Sequence, residues 1–222
     1  MNKIVPAVAA IAIVAAGGWY LAAGQGQTPG MTPFAAEAQE SSEAPDLSLV
    51  EEMQIGNPDA EVTVVEYASF TCPHCRTFHD SVFDELKANY IDEGKINFVY
   101  REVYFDRPGL WASLIARCAG PDRYFPIVDM IYERQSDWLS SSDPATIADN
   151  LRKLGVTAGL SPDQVQECLS DADKAQALFA SFEQNAAEDD IRSTPSFIIN
   201  GEQFGNMNYA DFSELLDERL SD

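Results

Sequence analysis

The sequence predicts an α/β domain in which a βαβ unit is followed by an all-helical block and then by a ββα unit. Two observations carry this prediction. Short β-branched and aromatic runs occur near both ends of the folded part, and between them apolar residues recur at helical spacing. The 222 residues suffice for one domain of about 150 to 200 residues with appendages.

The N-terminal residues 1–23 have the pattern of an export segment. Lys3 is followed by an uncharged, largely apolar run, which is typical of a signal peptide but is also long enough, at about 20 residues, for an N-terminal membrane anchor. Either way the positive-inside rule predicts that the chain beyond it is exported. Residues 24–45 consist mainly of Gly, Gln, Thr, Pro, Ala, Ser and Glu and are expected to form a flexible linker. The folded domain is expected over 46–222.

The predicted βαβ unit is built around two closely spaced cysteines. Residues 61–68 are β-branched and aromatic, as in a buried strand. The motif Cys72-Pro73-His74-Cys75 follows, and then a helix with apolar residues at intervals of four, namely Phe78, Val82 and Leu86. A second strand is predicted over 96–105. The cysteines therefore lie where a strand passes into a helix.

An all-helical insertion is predicted over about 108–190. Its apolar residues recur at helical spacing, and Asp143-Pro144 and Ser161-Pro162 each resemble a helix N-cap followed by proline in the first turn. Strand character returns over 195–199, and Asn200-Gly201 predicts a hairpin turn. A final amphipathic helix is expected to place its apolar residues on one face: Phe212, Leu215, Leu216 and Leu220.

The charge balance excludes some functions. There are 36 acidic against 14 basic side chains, for a net charge of -22. Such an excess repels nucleic-acid phosphates and anionic membrane surfaces, so neither is expected as a partner. Because 45% of the residues are apolar, the chain can still bury a core, and the acidity is expected on the solvated surface.

The Cys72-Pro73-His74-Cys75 motif has the spacing of a redox-active pair. At a helix start the backbone N–H groups and the helix dipole stabilise a thiolate, so Cys72 is the expected attacking thiol and Cys75 the resolving one. His74 is expected to add a donor or partial positive charge beside Cys72. A stabilised thiolate favours the reduced form and makes the disulfide a stronger oxidant.

Other interpretations of these cysteines are less favoured. Cys72, Cys75 and His79 could offer three metal ligands, but no second pair supplies a fourth, so no metal is expected. Covalent haem attachment would need histidine where Arg76 stands. An inert disulfide would close too small a ring to stabilise the fold efficiently. His79 is expected on a solvated helix face.

Three segments together resemble the DsbA-type thiol-disulfide oxidoreductases of the thioredoxin superfamily. They are the Cys72 to Cys75 motif, Glu66-Tyr67-Ala68-Ser69-Phe70 before it, and Thr194-Pro195-Ser196-Phe197 after the helical block. The resemblance covers about 46–222 and implies a thioredoxin-like fold with an inserted all-helical domain. It also implies a monomeric periplasmic enzyme without a cofactor. Such an enzyme introduces disulfides into unfolded or partly folded exported proteins with free thiols, and a DsbB-like membrane thiol oxidase recycles it.

The resemblance also implies roles for residues outside the motif. Pro195 is expected to be a cis-proline facing the cysteines, although an ordinary trans turn remains an alternative. Thr194 would then present its backbone to an extended substrate. Glu66 matches the buried acid that moves protons to or from Cys75, with a plain strand-edge carboxylate as the alternative. Where the archetype has a lysine paired with that acid, this chain has Tyr100 beside Arg101.

Cys118 and Cys168 form a second pair within the helical block. In an oxidising compartment a structural disulfide between them is expected, and a loop of this size stabilises by about 4 kcal/mol. Two free buried thiols and a redox-regulatory bridge remain open as alternatives.

Two other functions fit the same residues. One is a disulfide isomerase or reductase on this scaffold, since Thr194 before the proline is also common in isomerases of this family. Against it, the linker occupies the place of the dimerisation domain that such isomerases carry. The other is a non-catalytic envelope adaptor that binds extended peptides at the Pro195 edge.

Overall fold

The fold is organised around a five-stranded sheet, which a computed structural model describes together with the rest of residues 44–221. The strands are β1 (Met53–Gly56), β2 (Val62–Ala68), β3 (Ile96–Glu102), β4 (Ser196–Ile199) and β5 (Glu202–Gly205). Their order is β1-β3-β2-β4-β5, in which β2 and β3 are parallel and the other pairs are antiparallel. The predicted thioredoxin-like arrangement is confirmed, with β2 at the centre of the sheet.

The strand predictions differ from the structure at two places. The sequence pattern does not predict strand β1, because four residues are too few to show a period. They form a strand because they pair with β3. The second predicted strand, 96–105, is too long, since β3 ends at Glu102. The chain turns away there, burying Tyr104 and leaving Phe105 exposed.

The helix after β2 is continuous but irregular. It runs through α1 (Pro73–Phe78), a π-helical turn (His79–Phe83), α2 (Asp84–Leu86) and a second π-helical turn (Lys87–Ile91). Phe78, Val82 and Leu86 are all buried, as their spacing predicts. Together with β2 and β3 this helix completes the βαβ unit.

The block between β3 and β4 is entirely helical. It contains α3 (Arg107–Cys118), α4 (Pro121–Glu133), α5 (Gln135–Trp138), α6 (Pro144–Thr157), α7 (Pro162–Leu169) and α8 (Ala172–Glu188). Asp143 and Ser161 cap α6 and α7 with their side chains, as the sequence predicts. A disulfide joins Cys118 to Cys168 and so ties α3 to α7.

The C-terminal unit contains the predicted hairpin and helix. Asn200 and Gly201 have φ values of 49° and 87°, and they form the tight turn between β4 and β5. The helix α9 (Tyr209–Leu220) follows. Of its four predicted apolar contacts, Phe212 and Leu216 are buried and the other two are partly buried against the core.

The predicted export segment (1–23) and nearly all of the predicted linker (24–45) lie outside the described residues. Within 44–221, no helix is long and apolar enough to cross a membrane.

Candidate active site

The Cys72-Pro73-His74-Cys75 motif lies at the carboxyl end of the central strand β2. Cys72 is the N-cap of α1 and Pro73 occupies its first turn, where a missing N–H costs no intrahelical bond. The N–H of Cys72 donates to the carbonyl oxygen of Ser69 at 3.0 Å, which closes the turn between strand and helix. The first cysteine therefore sits at a helix N-terminus, as the sequence predicts.

Gln135 holds this turn from the helical block. Its buried Nε2 donates to the carbonyl oxygens of Phe70 and Cys72, at 2.8 and 3.1 Å. The sequence shows no signal for this contact, because Gln135 is 63 positions from Cys72 and no periodicity marks it. The helical insertion thus contributes directly to the geometry of the first cysteine.

Cys72 is half-buried, and its thiol is made acidic by its surroundings. Its pKa is lowered to about 5, chiefly by a hydrogen bond from the Cys75 side chain. Hydrogen bonds from the Thr194 side chain and from the backbone N–H groups of Cys75 and His74 lower it further. Burial of the sulfur opposes this shift. The His74 side chain itself is exposed. Among the causes of the lowered Cys72 pKa, His74 acts through its backbone N–H and not through the side-chain donor or charge that the sequence suggests.

Cys75 is fully buried and has the opposite character. Its pKa is raised far above the usual range, first by burial, then by the hydrogen bond to Cys72 and by the negative charge of Glu66. Near neutral pH the reduced pair therefore consists of a Cys72 thiolate and a Cys75 thiol.

The Thr194–Pro195 peptide bond is cis, and it faces the cysteines. The carbonyl oxygen of Thr194 lies 3.5 Å from the Sγ atom of Cys72. Pro195 immediately precedes β4, which pairs with β2. The tertiary structure thus brings Thr194 and Pro195 next to a motif that lies 122 positions earlier in the chain.

Glu66 is completely buried in the middle of the sheet. It lies opposite Tyr100 of β3 and Phe197 of β4. Its Oε2 atom lies 3.2 Å from Nε2 of His79, and its Oε1 atom has no hydrogen-bond partner among residues 44–221. Glu66 is therefore not the strand-edge carboxylate of the alternative interpretation.

The prediction that His79 lies on a solvated helix face is wrong. His79 is 5% exposed, and its ring stacks on Tyr132 and contacts Phe83, with ring centroids 4.3 and 4.6 Å apart. His79 follows Cys75 by four positions, a spacing that places both side chains on one helix face. That spacing was the available signal, since Cys75 faces the core.

Neither Tyr100 nor Arg101, which stand where the family archetype has a lysine, is the partner of Glu66. Tyr100 lies beside Glu66, but its hydroxyl shares a hydrogen bond with the hydroxyl of Tyr132, with 2.6 Å between the oxygens. Arg101 points elsewhere and forms an ion pair with Glu52 at 2.9 Å. The partner is His79, which comes from the helix and not from the neighbouring strand.

The described residues, 44–221, contain no group of three or more His, Cys, Asp and Glu side chains arranged to hold a metal ion. His79, the third ligand of the alternative metal site, instead contacts Glu66.

A family model described as Thioredoxin matches residues 48–218. The chain belongs to the thioredoxin family. A Rickettsia bellii protein that bears the name protein-disulfide oxidoreductase is 35% identical over 172 residues, which cover 77% of this chain. The match covers 65% of that relative, so the chain spans slightly less than two thirds of its length.

Solved structures identify the variant of the thioredoxin fold. The α-DsbA1 of Wolbachia pipientis has a TM-score of 0.72 at 24% identity and covers 77% of this chain and 92% of its own. A protein-disulfide isomerase from Novosphingobium aromaticivorans has a TM-score of 0.70 at 26% identity, covering 77% of this chain and 98% of its own. This thioredoxin-family chain therefore has the DsbA-type scaffold of the thiol-disulfide oxidoreductases, with the helical insertion that the sequence predicts.

Proposed function

We propose that the chain is a periplasmic thiol oxidase that introduces disulfide bonds into exported proteins by exchange through Cys72 and Cys75. The observation that carries the proposal is the opposite pKa shift of the two thiols, lowered to about 5 for Cys72 and raised for Cys75. A thiolate that is stable near neutral pH lowers the free energy of the reduced enzyme, so the disulfide gives up its oxidising equivalents readily.

The reaction begins with the enzyme's Cys72–Cys75 disulfide. A substrate thiolate attacks Sγ of Cys72, the S–S bond breaks, and its electron pair goes to Sγ of Cys75, which takes up a proton. A second substrate thiolate then attacks the substrate sulfur of this mixed disulfide and releases Cys72 as a thiolate. Two electrons thereby pass from two substrate thiols to the enzyme. The low pKa of Cys72 makes it a good leaving group in the second step.

The backbone around Thr194 is the proposed substrate contact. Its carbonyl oxygen lies 3.5 Å from Sγ of Cys72, close enough for an extended peptide bound there to bring a cysteine to that sulfur. Pro195 would hold this backbone in place, and His74 lies on the exposed side of the motif. These contacts involve backbone more than side chains, which suits substrates of varied sequence.

The proposed location is the periplasm, and the proposed recycling partner is a membrane thiol oxidase of the DsbB type. Support comes from the export pattern of residues 1–23 and from the Cys118–Cys168 disulfide, which is stable in an oxidising compartment. Cell fractionation should recover the protein with periplasmic markers. Recovery with cytoplasmic markers would contradict this location.

A disulfide isomerase is the second candidate. The structural relative from Novosphingobium aromaticivorans is named a protein-disulfide isomerase, and this chain has threonine before its cis-proline. An isomerase uses the same thiolate, but in its reduced form and on proteins that already contain disulfides.

Two measurements on one preparation separate the candidates. The equilibrium with glutathione should place the reduction potential above about -180 mV, and the oxidised protein should reactivate a reduced substrate faster than a scrambled one. A clearly more reducing potential together with efficient reshuffling would instead establish an isomerase. The Cys72→Ser variant should be inactive in both assays.

A further inference from the structure

Glu66 and His79 form a buried pair next to Cys75. Glu66 is 0% and His79 5% exposed, and their Oε2 and Nε2 atoms lie 3.2 Å apart. Each side chain also has a polar atom without a hydrogen-bond partner in the described part of the chain: Oε1 of Glu66 and Nδ1 of His79. The pair therefore has one open acceptor or donor position at each end.

Stability is a poor explanation for such a pair. Removing two ionisable groups from water costs about as much as their attraction returns, and packed apolar side chains of similar volume are often at least as stabilising. The surroundings of His79 are aromatic, with Tyr132 at 4.3 Å and Phe83 at 4.6 Å between ring centroids, so an apolar ring would pack there readily. The unpartnered atoms add a further cost.

One end of the pair acts on the reactive thiols. The negative charge of Glu66 contributes to the raised pKa of Cys75, so the carboxylate is close enough to influence that sulfur. His79 lies one helical turn after Cys75 on the same face of the helix. The pair is thus adjacent to the sulfur that must gain and lose a proton in every cycle.

His79 also influences a charged group at the surface of α4. Asp129 is accessible to solvent there, but its carboxyl is partly desolvated. This desolvation raises the pKa of Asp129, whereas the charge of His79 lowers it, and Asp84 and Lys87 also influence it. His79 therefore interacts electrostatically with a group that water reaches.

The two phenols that pack against the His79 ring keep their protons near neutral pH. They are Tyr100 of β3 and Tyr132 of α4, and burial raises the pKa of both phenols well above its usual value. Cys75 on the same helix is the thiol to be protonated. Among these neighbours, Glu66 and His79 form the chain of groups that leads from Cys75 towards Asp129.

We propose that His79 is a positioning residue that carries protons between Glu66 and solvent, so that Glu66 can serve Cys75 in both directions of the reaction. The inference rests on the proposed disulfide exchange. When the Cys72–Cys75 bond opens, Sγ of Cys75 keeps the electron pair of the broken S–S bond and takes one proton from the carboxyl group of Glu66. His79 then passes a proton from solvent to Glu66. When the bond closes, the proton leaves Cys75 by the same groups in reverse order.

The test compares proton-linked kinetics of His79→Gln with wild type. Glutamine can keep a hydrogen bond to Glu66 but cannot titrate. The rate at which the oxidised protein reacts with an excess of a cysteine-containing peptide should fall by about 100-fold near pH 7, and the histidine-dependent inflection should disappear from the pH profile. The pKa of Cys72, followed by thiolate absorbance, should stay unchanged. Asp80→Asn, on the exposed face of the same helix, is the matched control and should retain the wild-type profile.

A double-mutant cycle distinguishes a relay from two separate effects. If Glu66 and His79 act in series, Glu66→Gln combined with His79→Gln should be no slower than the slower single variant. Independent, multiplying effects would contradict the proposal, as would a His79→Gln variant with the wild-type rate and profile. If wild type itself fails to oxidise the peptide, the proposed function fails instead.

A measurement on wild type covers the case in which the variant does not fold. The chain has two histidines, so the imidazole signals of His79 and His74 can be followed separately by NMR, with His74→Gln giving the assignment. The inflection of the exchange rate with pH should coincide with the titration of His79. A difference of more than about one pH unit would overturn the proposal.

Discussion

The two cysteine pairs of this chain have the same chemistry but opposite environments. Cys72 and Cys75 lie at one helix start, three positions apart, with one sulfur half-exposed and the other buried. Cys118 and Cys168 join two helices across 50 positions of sequence. Reactivity in this chain comes from asymmetry, because the active pair has one acidic and one non-acidic thiol, whereas the second pair closes a long loop.

Replacing Cys72 should have the largest effect and affect function alone. In Cys72→Ser no sulfur remains to form the mixed disulfide, so peptide oxidation should be abolished while the folded structure is retained. The measurement is the oxidation of a two-cysteine peptide, with circular dichroism as the folding control. The variant that replaces Cys118 and Cys168 by Ala should keep most of this activity at a temperature where it is folded. Its complete inactivity there would show that the second pair takes part in exchange.

The second largest effect should be the difference between the alkylation rates of the two active-site thiols and its dependence on pH. Cys72, with its pKa lowered to about 5, is a thiolate at pH 7, and Cys75, with its raised pKa, is a thiol. Cys72 should therefore react with iodoacetamide at least about 100-fold faster, and its rate should fall as the pH drops through about 5. Peptide mapping by mass spectrometry measures both rates. Equal labelling at pH 7 would refute the asymmetry.

Removing the second disulfide should chiefly affect stability. Replacing both Cys118 and Cys168 by Ala releases a loop of 50 positions, and the free energy of unfolding should fall by about 4 kcal/mol. Urea denaturation of the oxidised protein, with and without the substitutions, measures this difference. A change well below about 1 kcal/mol would mean that the bridge contributes little to the fold.

Replacing Gln135, which connects the helical block to the active-site turn, should have the smallest effect. Gln135→Ala removes the donor to the carbonyl oxygens of Phe70 and Cys72 and should lower the free energy of unfolding by about 1 to 3 kcal/mol. Loosening the turn should also raise the pKa of Cys72, seen in thiolate absorbance. Gln203→Ala, a glutamine at an exposed position of β5, is the control. An unchanged Cys72 pKa would limit Gln135 to a structural role.

Local patterns were enough to predict much of this fold. The cysteine motif at a strand-to-helix junction, the capped helices after Asp143 and Ser161, and the Asn200-Gly201 hairpin depend on residues within a few positions of each other. Such features follow from backbone propensities and capping, which act over short distances. The resemblance in the motif and around Pro195 added the family and the superfamily fold.

The tertiary structure alone decided which residues surround the motif. No local pattern indicates that β1 pairs with β3, that Gln135 donates to the turn, or that Thr194 lies 3.5 Å from Cys72. His79 shows the difference most clearly, because its spacing from Cys75 indicates a buried helix face, but only the folded chain places its imidazole against an acid from the central strand. Local sequence patterns were sufficient for the reactive motif and for the order of the elements other than β1. Burial and long-range contacts determined the acidity of each thiol, because desolvation and charge depend on neighbours that only the folded chain brings together.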